Sequence, residues 1–284
     1  MPIAPTAEIV ASARAWGTGV GAFNVILIEH AHAVIEGARD AGLPAILQIS
    51  ENAVRYHGGD IAGIARASLA AAAAAPVPVA VHLDHATDLR LVRAAVAEGI
   101  GSVMFDASAL AHDANVAATT DAADWCRERG VWVEAELGEV GGKDGVHAPG
   151  ARTDPEAAAA FVAATGVDAL AVAVGSSHAM RTKTTVLDLD LIAALRAAVP
   201  VPLVLHGASG VPEPHMAEAV ASGITKVNIA TQLNIAFTGA LRTALDADPD
   251  VVDPRRYLAP ARAAVATEVA RLVRTLDDVP GGPR

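Results

Sequence analysis

Residues 77–106 read VPVAVHLDHATDLRLVRAAVAEGIGSVMFD. The β-branched run Val77–Leu83 predicts a strand and the Ala-rich run Leu89–Glu98 predicts a helix. Gly99 stands just past the helix end, where a left-handed cap is wanted, and Ser102–Asp106 predicts the next strand. Strand, crossover helix and strand make one parallel βαβ unit. The alternation continues outward in both directions. Further strands are predicted at Val20–Val25, Ala45–Ile49, Val131–Leu137, Ala169–Val174, Pro202–His206 and Lys226–Ile229. Further helices are predicted at Glu29–Asp40, Ile61–Ala75, Asn115–Arg129, Pro155–Thr165, Leu189–Ala198, Glu213–Ala221 and Gln232–Ala247. Gly130, Gly166 and Gly223 repeat the position of Gly99. Eight alternations with no break in composition predict a (β/α)8 TIM barrel over about residues 20–247. A C-terminal helical extension follows at about 255–276, all within one domain, 1–284. A doubly wound open sheet competes, but no Gly-x-Gly-x-x-Gly turn follows the first strand.

Composition agrees with a barrel. The 284 residues match the roughly 250 of one barrel domain. Apolar residues make up 52% and aromatic ones only 3%, so the core must be built from Val, Ile, Leu and Ala. That suits buried parallel strands covered by helices. A net charge of −11 argues against a nucleic-acid partner, which needs clustered Lys and Arg. It leaves room for a small anion held by backbone N–H groups. The single Cys126 excludes an internal disulfide and a Cys-rich zinc site, and its helical context predicts a buried packing role. No charged leader precedes an apolar stretch of signal-peptide length. The longest apolar segment, Ala70–Val81, is shorter than the ~20 residues of a membrane span. A soluble, cytoplasmic protein without a membrane partner is expected.

Catalytic groups of such barrels gather at the C-terminal ends of the strands. Those ends carry Asn24, Ser50 and Glu51, Asp84 and His85, Asp106, and Glu134 and Glu136. Gly175 to His178, His206 to Ser209 and Asn228 to Thr231 follow, while the opposite ends carry mostly Gly, Pro and Val. His85, His178 and His206 follow three different strands at comparable depth. Three neutral imidazoles around an open position make a catalytic zinc arrangement. The plainer reading, three unrelated hydrogen bonds in the barrel mouth, must explain why all three converge. His82, inside its strand, reads as packed support, while His57 and His147 could reach the mouth. Two loops suit a phosphate: His206-Gly-Ala-Ser-Gly runs toward a helix opening at Pro212, and Asn228-Ile-Ala-Thr runs straight into one. Small residues let backbone N–H groups approach an anion, and these are the seventh and eighth strands, where barrels often hold phosphate.

With these residues in view, the chain resembles the class II, metal-dependent ketose-bisphosphate aldolases of fructose- and tagatose-bisphosphate type. The likeness runs from Phe23-Asn-Val to Asp253-Pro-Arg-Arg-Tyr-Leu. Its most specific pieces are HLDH ending at His85, VEAELGEVGG ending at Gly142, GSSH ending at His178, VLHGASG ending at Gly210, and KVNIAT ending at Thr231. The last looks more like the tagatose branch. The resemblance implies a zinc-dependent lyase of glycolytic carbohydrate metabolism, a homodimer or homotetramer. It would reversibly cleave a ketose 1,6-bisphosphate to dihydroxyacetone phosphate and an aldehyde such as glyceraldehyde 3-phosphate. His85, His178 and His206 would hold the Zn2+, and Asp84 would be the acid/base at the C4 oxygen. Asp106 and Glu136 would line a second or alternative cation position, supported by Glu134. Gly207, Ala208 and Ser209, with Asn228, Ile229, Ala230 and Thr231, would grip the dihydroxyacetone phosphate half, and Asn24, Ser50 and Ala179 would join the substrate-binding set. Arg262 is a candidate for the far phosphate.

Two departures stand out. Ala179 replaces the Gly that usually follows the second histidine ligand. The loop after Gly142 reads Lys143-Asp-Gly-Val and lacks the Glu that exchanges the C3 proton in the family, which leaves Asp144 as its candidate replacement. A Schiff-base lysine is rejected, because Lys226 starts its strand at the wrong end of the barrel and Lys143 and Lys183 lie in loops. Two competing functions remain: a metal-dependent barrel hydrolase, which lacks its usual His-x-His after the first strand, and a phosphosugar-binding relative without catalysis.

Overall fold

Successive side chains on a strand face opposite sides, so a barrel strand must satisfy two surroundings, the interior and the helical coat. The computed structural model describes residues 3–137, 141–142, 146–147, 152–176 and 181–279. Its strands are β1 (Val20–Asn24), β2 (Ala45–Ser50), β3 (Val79–Ala86), β4 (Ser102–Phe105), β5 (Trp132–Glu136), β6 (Gly141–Gly142), β7 (Val146–His147), β8 (Ala169–Ala171), β9 (Leu203–Leu205) and β10 (Ile224–Ile229). Eight of them close a parallel barrel in the order β1-β10-β9-β8-β5-β4-β3-β2. The other two, β6 and β7, form a short antiparallel pair. The helices are α1 (Thr6–Trp16), α2 (Ile28–Ala41), α3 (Glu51–Tyr56), α4 (Ala62–Ala73), α5 (Leu89–Ala97), α6 (His112–Arg127), α7 (Pro155–Thr165), α8 (Leu189–Ala198), α9 (Glu213–Ser222), α10 (Thr231–Ala247) and α11 (Pro254–Asp277). The predicted (β/α)8 barrel with its C-terminal helix is therefore the observed architecture.

Two apolar clusters follow the alternation. Phe23, Leu47, Ile49, Leu83 and Val103 face outward into the helical coat. Val20, Ala22, Ile46, Ala80, Met104, Trp132 and Val204 fill the barrel interior. The inward row turns polar toward the C-terminal end: Ile46 is followed by Gln48 and Ser50, Ala80 by His82 and Asp84, and Trp132 by Glu134 and Glu136. One end of the barrel is thus an aliphatic plug and the other a polar mouth.

The structure adds elements that the sequence pattern did not announce. The first helix, α1, lays Ile9, Val10 and Ala13 against the interior cluster and closes the N-terminal end of the barrel. Ala4 N donates to Val79 O at 3.1 Å there. The six-residue α3 springs from the mouth, its first turn capped by Ser50, whose Oγ accepts from Ala53 N at 3.2 Å. The predicted strand Ala169–Val174 ends at Ala171, because Thr153 exchanges hydrogen bonds with Ala173 through its N and Oγ1. Cys126 is buried as expected, and burial pushes its thiol up to about 11. Among the described residues, no helix is long and apolar enough to cross a membrane.

Candidate functional site

The mouth is shaped by a bulge in β3. Leu83 pairs with Val103 and Ala86 with Phe105, so β3 uses three residues where β4 uses two. Within the bulge His85 takes a φ of 50°, the one positive φ outside glycine among the described residues. In a regular strand Asp84 and His85 would face opposite sides. Here both converge with His206: one ligand atom from each of the three lies within 4.8 Å of the others. Holding a histidine in this conformation costs of order 1–3 kcal/mol, a strain typical of functional sites.

The ring nitrogens are sorted by two carboxylates. His85 Nδ1 lies 2.8 Å from Asp106 Oδ2, and His206 Nε2 lies 2.8 Å from Glu134 Oε1. An ionised carboxylate only accepts, so each of these ring nitrogens carries its proton and donates. The other two nitrogens, His85 Nε2 and His206 Nδ1, stand 3.0 Å apart. Two lone pairs at that distance repel unless a proton or a cation lies between them. Carboxylate-held imidazoles with converging lone pairs are the donor chemistry that a divalent metal requires. Asp106, His85 and Glu136 form a second cluster of this kind.

Electrostatics tells the same story. Burial disfavours the charged form of His85, but Asp84, Asp106 and Glu136 overcome it and push its pKa up to about 10. Burial works against Asp106, yet His85 and Ser108 hold its carboxyl below the usual range. Burial opposes ionised Glu134 as well, and Lys226 and His206 hold it well below that range. His206 is lowered by burial, and His82 is lowered further, by burial and then by Lys226.

Lys226 corrects the sequence reading. It is not the first residue of its strand but the third of β10, fully buried inside the barrel. Its Nζ donates to Gln48 Oε1 at 3.0 Å, Glu134 Oε2 at 2.8 Å and Asn228 Oδ1 at 2.7 Å. Three acceptors saturate an ammonium, so a nucleophilic lysine is excluded by its surroundings rather than by its end of the barrel. Gln48 had also been overlooked. Both sit two residues before a residue already assigned to the mouth, Asn228 and Ser50, and therefore share its face. His82, read as packed support, is buried, with Nδ1 3.0 Å from Ser102 Oγ.

The two candidate anion loops lie side by side at the ends of β9 and β10. Gly207 takes a φ of 69° and opens a 3-10 turn, Ala208–Gly210. Ser209 Oγ accepts from Gln232 N at 3.3 Å, which ties this turn to the start of α10. Asn228 is buried, with Nδ2 3.0 Å from His206 Nε2 and 3.4 Å from Asp84 Oδ1, and Ile229, Ala230 and Thr231 lead into the helix. Asn24 Oδ1 accepts from Gln48 Nε2 at 3.1 Å. Other candidates are engaged elsewhere. Glu51 accepts from Thr87, His57 Nε2 meets Ile26 O at 2.7 Å, and Arg262 pairs with Glu36 of α2 at 3.2 Å. His178, Ala179 and Asp144 lie outside the described residues, as does the side chain of His147.

Comparison with known proteins places this geometry in context. The family model described as fructose-bisphosphate aldolase class-II matches residues 4–279. A curated fructose-bisphosphate aldolase of Staphylococcus epidermidis is 36% identical over 277 residues, covering 96% of this chain and 97% of the relative. The crystal structure of the YdjI aldolase from Escherichia coli K12 superposes with a TM-score of 0.85 at 30% identity, covering 99% of this chain and 100% of that one. The crystal structure of a fructose-bisphosphate aldolase from Campylobacter jejuni gives a TM-score of 0.79. At 22% identity, over 97% of this chain and 95% of that one, it speaks for the fold alone.

Proposed function

The chain belongs to the class II fructose-bisphosphate aldolase family, and from that premise we propose that it is a zinc-dependent lyase cleaving a ketose 1,6-bisphosphate of fructose or tagatose type. The observation that carries the reading is the pair of converging lone pairs on His85 and His206, with Asp84 beside them. His178 is taken as the third ligand on its motif alone. Bound there, zinc would supply Lewis acidity to the substrate carbonyl. Asp84 would take the proton of the C4 hydroxyl as the C3–C4 bond breaks. The electron pair stays with the dihydroxyacetone phosphate half, which is then protonated at C3, with Asp144 the candidate donor. The turn at Gly207, Ala208 and Ser209 and the start of α10 at Asn228 to Thr231 would hold the phosphate of that half through backbone N–H groups. Asn24 would offer its Nδ2 to the same ligand, and the Ser50 hydroxyl and the Ala179 backbone are assigned nearby on the resemblance. The family likeness also carries the expectation of a cytoplasmic homo-oligomer.

The test is release of dihydroxyacetone phosphate from fructose and tagatose 1,6-bisphosphates, before chelation, after it, and after zinc is returned. Release that chelation abolishes and zinc restores is expected. Turnover indifferent to chelation, or no release from either ketose, overturns the proposal.

A further inference from the structure

Three hydrogen-bond chains leave the buried ammonium of Lys226. An ammonium donates and never accepts, so the amides of Gln48 and Asn228 must both turn their oxygens toward it. The first chain runs through Gln48, whose Nε2 then faces Asn24 and occupies its Oδ1 at 3.1 Å. Asn24 is left with its Nδ2, a donor, for whatever binds in the mouth. The second runs through Asn228, whose Nδ2 lies 3.0 Å from His206 Nε2 and 3.4 Å from Asp84 Oδ1; with the Nε2 hydrogen given to Glu134, the carboxylate is the acceptor Nδ2 can use. The third runs through Glu134, whose Oε2 takes Lys226 while Oε1 accepts from His206 Nε2 at 2.8 Å. That last bond leaves the His206 Nδ1 lone pair facing His85.

We propose that Lys226 is a positioning residue that sets the hydrogen-bond polarity of the mouth: a donor on Asn24, a donor aimed at Asp84, and an accepting Nδ1 on His206. The inference rests on the aldolase reading above. Amide oxygen and nitrogen are nearly equal in shape, so without the ammonium nothing in these chains stops Asn24 from turning its oxygen outward. A mouth lined by donors favours a phosphate ester over its neutral parent alcohol. A mouth with an outward amide oxygen does not.

The test uses the full-length, zinc-loaded protein with dihydroxyacetone phosphate and neutral dihydroxyacetone as probes, read by calorimetry. Zinc affinity is measured separately by chelator competition. Gln48→Leu keeps the Lys226–Glu134 pair and cuts only the first chain. Its preference for the phosphate ester should fall about tenfold, the worth of one oriented hydrogen bond, with zinc affinity unchanged. The double variant Lys226→Met/Glu134→Gln keeps net charge constant and cuts all three chains. It should show the same loss of preference, and its zinc affinity should weaken roughly 10–100-fold. A residue that merely fills the core would not separate the two readouts in this way. Wild-type preference in Gln48→Leu overturns the inference, and that variant decides alone if the double variant does not fold. A wild-type protein that binds neither zinc nor dihydroxyacetone phosphate overturns the aldolase reading, and this inference with it.

Discussion

His85 Nε2 and His206 Nδ1 stand 3.0 Å apart while a carboxylate holds the far nitrogen of each ring, Asp106 for one and Glu134 for the other. This arrangement predicts about one tightly bound divalent ion per chain, measurable by elemental analysis. His85→Ala, His206→Ala and His178→Ala should each lose it, since each removes one of the three nitrogens. Asp106→Ala should keep the ligands but release the His85 ring, weakening metal affinity roughly 10–100-fold. Stoichiometric metal in His206→Ala would break the assignment.

Asp84 sits beside the two imidazoles without holding a ring nitrogen, and its Oδ1 lies 3.4 Å from Asn228 Nδ2. Acid/base work at the C4 oxygen then predicts that Asp84→Ala retains metal and binds dihydroxyacetone phosphate, while kcat falls by roughly 10²–10⁴. Loss of the metal in this variant would instead make Asp84 a ligand.

The barrel was legible because βαβ repeats leave a strong pattern: aliphatic runs, Ala-rich helices and glycines after them. The mouth was legible because strand ends were the one place where polar residues gathered. Adjacent residues of a strand alternate, so no pattern could place both Asp84 and His85 in the mouth; a bulge did that. Lys226 was misread because its strand begins two residues earlier, at Ile224, and an error in a strand's start shifts a residue's height in the barrel. The first helix went unseen because it lies before the first strand and outside the repeat. Arg262, a candidate for the far phosphate, pairs with Glu36 of α2, a contact between distant segments that the sequence pattern does not reveal.

The buried histidines make stability depend on pH in both directions. His30 is lowered, chiefly by burial, and its neutral Nδ1 accepts from Leu27 N at 3.2 Å. Its contribution is full above the unfolded pKa of about 6.5 and is lost as pH falls toward the folded value. His82 behaves likewise. His85 is raised to about 10, so in the metal-free protein its contribution is full below about 6.5 and is lost as pH climbs to 10. Stability of the metal-free protein should therefore decline on both sides, by up to about 1.4 kcal/mol per pH unit for each group. His30→Gln should shallow the acid limb, and zinc should abolish the alkaline one. Denaturant melts from pH 5 to 9 would show this; an alkaline limb unaffected by zinc would contradict it.

The last expectation concerns the loop where sequence and family diverge. Asp144 is the one carboxylate between Gly142 and Pro149, in the connection between β6 and β7. If a loop side chain moves the C3 proton, it must be this one. Its reach is one methylene shorter than that of the Glu usual in the family, and a misplacement of about 1 Å can cost on the order of 10²-fold in rate. Other carboxylates are poorly free to substitute: Glu134 is held by Lys226 and His206, and Glu51 by Thr87 and Arg55. Asp144→Ala should therefore suppress exchange of the C3 hydrogen of dihydroxyacetone phosphate with solvent, while binding of that ligand changes little. Asp144→Glu restores the longer reach and should exchange at least as fast as the wild type. Deuterium exchange followed by NMR on the three proteins separates the cases. Exchange in Asp144→Ala as fast as in the wild type would place the base outside this loop, and Asp84, whose Oδ1 lies 3.4 Å from Asn228 Nδ2, would then be the group to examine.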